Sequence, residues 1–178
     1  GVQSQAQRYM FFAERQAAKI DGLPEGTATR PVKKVGMIGA GTMGGGIAIC
    51  FANAGIPVTV LDASAEALQR GLATIDKTYE SMVKRGRLTA DDKVTRLALI
   101  TGSLSYDDLS AADVIIEAAF EDMALKQRIF ADLDRVAKPG AVQLKVSLSD
   151  LRDSAPDVYD VAFLLEQTQP GPPLALDV

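Results

Sequence analysis

Gly39, Gly41 and Gly44 stand in G-x-G-x-x-G spacing, and an acid, Asp62, follows them down the chain. Each glycine lowers stability unless a turn or a close backbone approach requires it. The spacing suits a phosphate-bearing ligand. Gly39 would allow the tight turn, Gly41 would let the backbone approach a pyrophosphate, and Gly44 would let helix and strand pack closely. Unpaired N–H groups at the start of a helix would then face the anion. Asp62 lies about 20 residues beyond the glycines, where an acid binds the ribose 2′-hydroxyl of NAD. Its charge would repel the 2′-phosphate of NADP, and Ala63-Ser64 offers no cation instead. The competing readings are a plain glycine turn and a helix-capping Asp62. The motif has meaning only between a strand and a helix.

Apolar periodicity supplies that context. KKVGMIG reads as a buried strand that ends in the glycines, and GGIAICFANAG as a helix with Gly55 as its C-cap. PVTVLD is a second strand that ends at Asp62. A long helix over 65–85 follows, with Leu68, Leu72, Ile75, Tyr79 and Met82 on one face. Thr89 and Asp92 have capping-box spacing and open a second helix that runs to about Arg96. LALIT and DVIIEAAF are further strands. A helix over 123–137 turns Ile129, Phe130, Leu133 and Val136 inward, and Lys138-Pro139-Gly140 stops it. Strands alternating with helices predict a parallel sheet built from right-handed crossovers. Before this unit, a helix over 7–20 leads into DGLPEGTATRP, read as a linker, and the folded unit is expected to start at Val32. AVQLKVSLS alternates apolar and polar residues, as a half-exposed strand does, rather than a central parallel one.

Composition narrows the chemistry. The 178 residues include no histidine and one cysteine, Cys50. An imidazole base, a Ser/His or Cys/His nucleophile pair, an internal disulfide and a zinc cluster are therefore excluded. No catalytic residue is assigned and no metal is expected. The single cysteine, read as a core residue, fits a reducing, cytoplasmic setting. No apolar run approaches the roughly 20 residues that span a bilayer. Net charge is −4, with six acids and two bases in 142–178; of 23 acids and 19 bases in all, 17 of each remain elsewhere. Neither part offers the basic stripe that nucleic acid requires. Tyr9, Phe11 and Phe12 are expected to pack the first helix.

GAGTMGGGIA, VTVLD, LTADDK and the run from LITGSLSYDD through DVIIEAAFEDMALKQRIFADLDRVAKPGA resemble the 3-hydroxyacyl-CoA dehydrogenase family. QRYMFFAERQAAKIDGL before them looks like the linker helix of its multifunctional members, which carry enoyl-CoA hydratase ahead of the dehydrogenase. The resemblance spans 7–141. It implies a Rossmann-type doubly wound α/β fold with a helical pair after the second strand, and division into a linker (1–31), an NAD-binding domain (32–141) and a tail (142–178). It also implies oxidation of 3-hydroxyacyl-CoA to 3-ketoacyl-CoA with NAD in β-oxidation. Within the glycine turn, Thr42 and Met43 would lie against the cofactor, and Asp62 would hold the adenosine ribose. Ala118, Ala119 and Glu121 would pass the nicotinamide half, and Lys126 would contact the cofactor. The residues themselves also admit that Glu121 and Asp122 start a helix, that Lys126 is a solvated lysine, and that Glu117 only closes a strand. Lys84-Arg85-Gly86-Arg87 reads as a solvated helix end rather than a site for CoA phosphates.

After Ala141 the chain leaves the family pattern, which continues to Asn-Thr-Ser and then to a catalytic His paired with a Glu. The expectation is a truncated or altered product: family sequence through Ala141, then unrelated residues, with no hydratase domain preceding it. The catalytic helical domain, with its share of the acyl pocket and dimer surface, would be missing, so homo-oligomerisation stays open. Two other readings are a non-catalytic NAD-binding module and a different NAD-dependent dehydrogenase on the same fold.

Overall fold

A computed structural model of the chain describes residues 1–17, 22, 26–120, 122–146, 163–166 and 175–177. Five strands form a parallel sheet: β2 (Val35–Ile38), β3 (Val58–Leu61), β4 (Ile100–Ser103), β5 (Val114–Glu117) and β6 (Val142–Val146). In space they run β4-β3-β2-β5-β6, and an antiparallel strand, β7 (Phe163–Glu166), extends the β6 side. Successive strands are therefore laid outward from β2 in one direction and then, after a crossover, in the other. The reversal lies between β2 and β5, the place where open parallel sheets bind ligands beyond their strand ends.

The sheet is buried on both faces, as continuous apolar strands require. Val35, Met37, Val58, Val60, Val114 and Ile116 pack under α2 (Thr42–Asn53) and α3 (Ala65–Lys84). On the other face, Ile38, Leu61 and Ile115 meet Ile129 and Leu133 of α5 (Met123–Val136) and Leu109 of a 3₁₀ turn (Tyr106–Leu109). The predicted inward face of α3 is realised, with Ile75 and Tyr79 essentially inaccessible. The expected capping box forms at α4 (Ala90–Leu97), where Thr89 Oγ1 accepts the N–H of Asp92 at 3.1 Å. Gly55 follows α2 with φ +78°, in the left-handed region that glycine tolerates at a helix end.

Five expectations need correction. AVQLKV is not a half-exposed strand, because β6 pairs in parallel with β5 and in antiparallel with β7, and Val142, Gln143 and Leu144 are buried. Its polar alternation misled because Gln143, though polar, is 1% exposed. The fourth strand runs 100–103 rather than 97–101, since Ala90–Leu97 remains helical. Ordered contact begins before Val32: β1 (Thr29–Pro31) pairs with β8 (Ala175–Asp177), and the Arg30 guanidinium donates to the Gly140 carbonyl at 2.8 Å. Cys50 is exposed, because α2 buries Gly44, Gly45, Ala48 and Ala52, and Cys50 points the other way. Along α1 (Val2–Ala17), Tyr9, Phe11 and Phe12 are exposed rather than packed into a core. Their contacts are local, with Arg15 over the Phe11 ring at 3.9 Å and Phe12 edge-on to Phe11. Segments 18–21, 147–162 and 167–174, which hold parts of the linker and tail, lie outside the described residues.

Candidate cofactor-binding site

The glycines at the end of β2 meet three different constraints. Gly39 has φ +99°, and a Cβ there would come 2.6 Å from the Ala118 carbonyl oxygen. A Cβ on Gly44 would lie 1.9 Å from the Gly39 carbonyl oxygen, so α2 can start this close to the strand only without a side chain. Gly41 has nothing within 4 Å of such a Cβ and faces open space. The turn therefore needs small residues where it packs and offers bare backbone where it is open.

Helix α2 begins immediately after, with Gly41 as its N-cap and no side chain capping it. The first N–H groups of a helix have no intrahelical acceptor. Here they stand at the edge of a cleft of about 580 Å³ lined by Gly39, Gly41, Thr42, Met43, Asp62 and Ala63 on one side. Bare N–H groups together with the positive end of the helix dipole make this edge suited to an anion.

Asp62 does not cap the next helix. Ser64 does so, its hydroxyl accepting the N–H of Ala67 at 3.1 Å. The Asp62 carboxylate instead reaches back to the turn and accepts the N–H of Ala40 at 2.8 Å, while its other oxygen accepts the N–H of Ala63 at 2.7 Å. The capping reading is thereby replaced by a link between the end of β3 and the glycine turn.

The far side of the cleft is formed by Ala118, Ala119 and Phe120 with Leu125 and Ile129 of α5. Behind it, Glu117 is fully buried and Lys126 is 3% exposed. Glu117 Oε2 lies 3.0 Å from Lys126 Nζ, and Oε1 accepts the Ala119 N–H at 2.7 Å. The solvated-lysine reading of Lys126 is therefore incorrect. Equally, Lys126 is not among the residues lining the cleft; it stands behind the wall. Glu117 does more than close its strand. Asp122 caps α5, accepting the N–H of Leu125 at 2.7 Å, as its position at a helix start suggests, whereas Glu121 lies outside the described residues. Lys84–Arg87 are exposed at the end of α3.

Leu104 and Tyr106 complete the cleft. Burial is the main influence raising the Tyr106 phenol above its ordinary value, with Asp132 and Glu117 adding to it, so its hydroxyl stays protonated. Sequence reasoning passed over both residues because they lie in a connection without periodicity. It also passed over Gly71, where a Cβ would meet the Ala40 carbonyl oxygen at 2.3 Å and push α3 off the turn. A single glycine inside a helix carries no signal of what it packs against.

The family model for "3-hydroxyacyl-CoA dehydrogenase, NAD binding domain" matches residues 34–152. The chain belongs to this family. Its match extends past Ala141, where the resemblance read from sequence stopped. A peroxisomal bifunctional enzyme of Cavia porcellus is 40% identical over 144 residues, covering 78% of this chain and 20% of that relative. A peroxisomal fatty acid beta-oxidation multifunctional protein of Arabidopsis thaliana is 36% identical over 135 residues, covering 75% and 19%. The chain thus spans about a fifth of the length of these curated relatives. Among solved structures, a (S)-3-hydroxybutyryl-CoA dehydrogenase from Ralstonia eutropha superimposes with TM-score 0.64 at 40% identity, covering 66% of this chain and 41% of that one. The doubly wound fold expected from the alternating elements is therefore the fold of this dehydrogenase family. No helix among the described residues is long and apolar enough to cross a membrane.

Proposed function

We propose that this chain is the NAD-binding part of a 3-hydroxyacyl-CoA dehydrogenase of fatty-acid β-oxidation. The observation that carries the reading is the uncapped start of α2 beside bare Gly41, with Asp62 next to it on the same side of the cleft. The N–H groups of Thr42 and Met43 hold the pyrophosphate, and Asp62 accepts the ribose hydroxyls while it fixes the turn through Ala40. Ala118 and Ala119 would flank the nicotinamide half, and Lys126 would act from behind the wall, paired with Glu117. When bound, NAD supplies the nicotinamide carbon that accepts hydride from a 3-hydroxyacyl-CoA. Leu125 and Ile129 give that end of the cleft an apolar lining, with Phe120 exposed at its rim.

The chain has no histidine, so no imidazole of its own can take the hydroxyl proton. Such a base typically contributes about 10²–10⁴-fold. This chain alone should therefore hold NAD and oxidise 3-hydroxyacyl-CoA about 10²–10⁴-fold more slowly than one supplied with such a base. We place the cofactor-binding unit at 32–146, five residues beyond the sequence boundary at 141, because β6 belongs to its sheet. A reducing compartment, cytoplasmic or peroxisomal, suits the single exposed thiol of Cys50.

An NMR titration of the ¹⁵N-labelled chain with NADH tests the reading. The amides of Gly41, Thr42 and Met43 should shift first and most. Shifts confined to distant surface amides would refute the assignment.

A further inference from the structure

We propose that Arg70 is a specificity-determining residue, which reads the 2′-position of the cofactor ribose in opposition to Asp62. The inference rests on the reading of the cleft as an NAD site. Gly41, Thr42 and Asp62 line that cleft, and they also line a smaller pocket of about 240 Å³ on the α3 side of the glycine turn. Arg70, the sixth residue of α3, and Thr74, one turn further, complete the pocket. Gly71 is what brings them there. A Cβ at 71 would lie 2.3 Å from the Ala40 carbonyl oxygen, so only bare backbone lets α3 come this near the turn. The neighbouring Arg70 is carried in with it.

Asp62 and Arg70 are the two charged residues of this pocket's lining. Each Asp62 carboxylate oxygen accepts a backbone N–H, one from Ala40 and one from Ala63. Arg70 is exposed, and among the described residues no carboxylate forms an ion pair with it. A guanidinium presents its N–H donors in a fork that matches phosphate oxygens. Ala63 and Ser64, directly after Asp62, carry no charge, so the cation beside the ribose site comes from the helix that follows. A phosphate on the 2′-hydroxyl is then repelled by Asp62 and attracted by Arg70. The preference for NAD over NADP is the difference of these two effects, and it is smaller than Asp62 alone would set.

The test titrates NADH and NADPH, followed by their own fluorescence, against the unaltered chain, Arg70→Gln and Arg70→Glu. Arg70 is exposed, so neither substitution disturbs the core. The Kd for NADH should stay within about threefold. The ratio Kd(NADPH)/Kd(NADH) should rise about threefold to tenfold in Arg70→Gln, between the effect of an exposed ion pair and that of a forked guanidinium–phosphate pair. It should rise further in Arg70→Glu. Where NADPH binds the native chain too weakly to saturate, the same comparison is made with Asp62→Asn in every chain, which removes the repulsion and leaves the attraction. A ratio that rises less than about twofold in Arg70→Gln, or that Arg70→Glu does not raise further, overturns the proposal. Failure of the unaltered chain to bind NADH refutes the NAD reading itself, which is a separate outcome.

Discussion

The Asp62 carboxylate accepts the backbone N–H of Ala40 at 2.8 Å, so the acid that ends β3 also pins the glycine turn at the end of β2. A hydrogen bond to a charged acceptor is worth about 1.5–3 kcal/mol. Asp62→Ala loses both this link and the ribose acceptor. It should weaken NADH binding by about tenfold to a hundredfold and narrow the preference over NADPH. Parallel titrations of the two reduced cofactors measure both effects, and an unchanged preference would count against Asp62 as the discriminating residue.

Gly44 and Gly46 lie two residues apart on α2 and should respond in opposite directions. A Cβ at Gly44 would overlap the Gly39 carbonyl oxygen at 1.9 Å, whereas at Gly46 it meets nothing within 4 Å. Overpacking of this kind costs about 1–3 kcal/mol. Removing glycine flexibility from an exposed helix position gains about 0.5–1 kcal/mol. Urea unfolding should therefore show Gly44→Ala less stable than the original and Gly46→Ala more stable.

Gln143 is 1% exposed, and among the described residues neither of its amide atoms has a hydrogen-bond partner. A buried polar group left unpaired costs about 1–3 kcal/mol. Gln143→Met keeps the length of the side chain and removes the amide. It should raise the midpoint of thermal unfolding, and a lower midpoint would mean that the amide is paired in solution.

Asp113 anchors the opposite end of the sheet, accepting the N–H groups of Lys33 and Lys34 and the Lys138 ammonium. Burial acts to raise its carboxyl, but the hydrogen bonds from Lys138, Lys33 and Lys34 outweigh it and hold the group below its ordinary value. A carboxyl lowered in the folded state stabilises above its unfolded value, about 3.9, and the contribution is lost as pH falls through the folded value. Stability should therefore drop below about pH 4, and less steeply in Asp113→Asn. Urea midpoints taken across that range, with both chains falling in parallel, would assign the acid sensitivity elsewhere.

Much of this arrangement was legible in the residues because it is local. The glycine spacing fixes strand, turn and helix within a few residues, and Thr89 with Asp92 satisfy each other across one helical turn. Other features depend on approach between distant elements. Lys126 could be read as solvated because its partner, Glu117, lies on another element and meets it only once α5 folds back over β5. Cys50 misled because α2 is apolar on every side, so periodicity could not show which face is buried. β6 misled because a buried glutamine mimics the polar half of an alternating strand.

The central claim is that the glycine turn and Asp62 hold NAD, and a titration of the chain followed by the cofactor's own fluorescence tests it most directly. Saturable binding of NADH, with NADPH at least about tenfold weaker, is the predicted result, given the charge that Asp62 places at the ribose. Equal binding of both cofactors, or saturation by neither, would contradict the account.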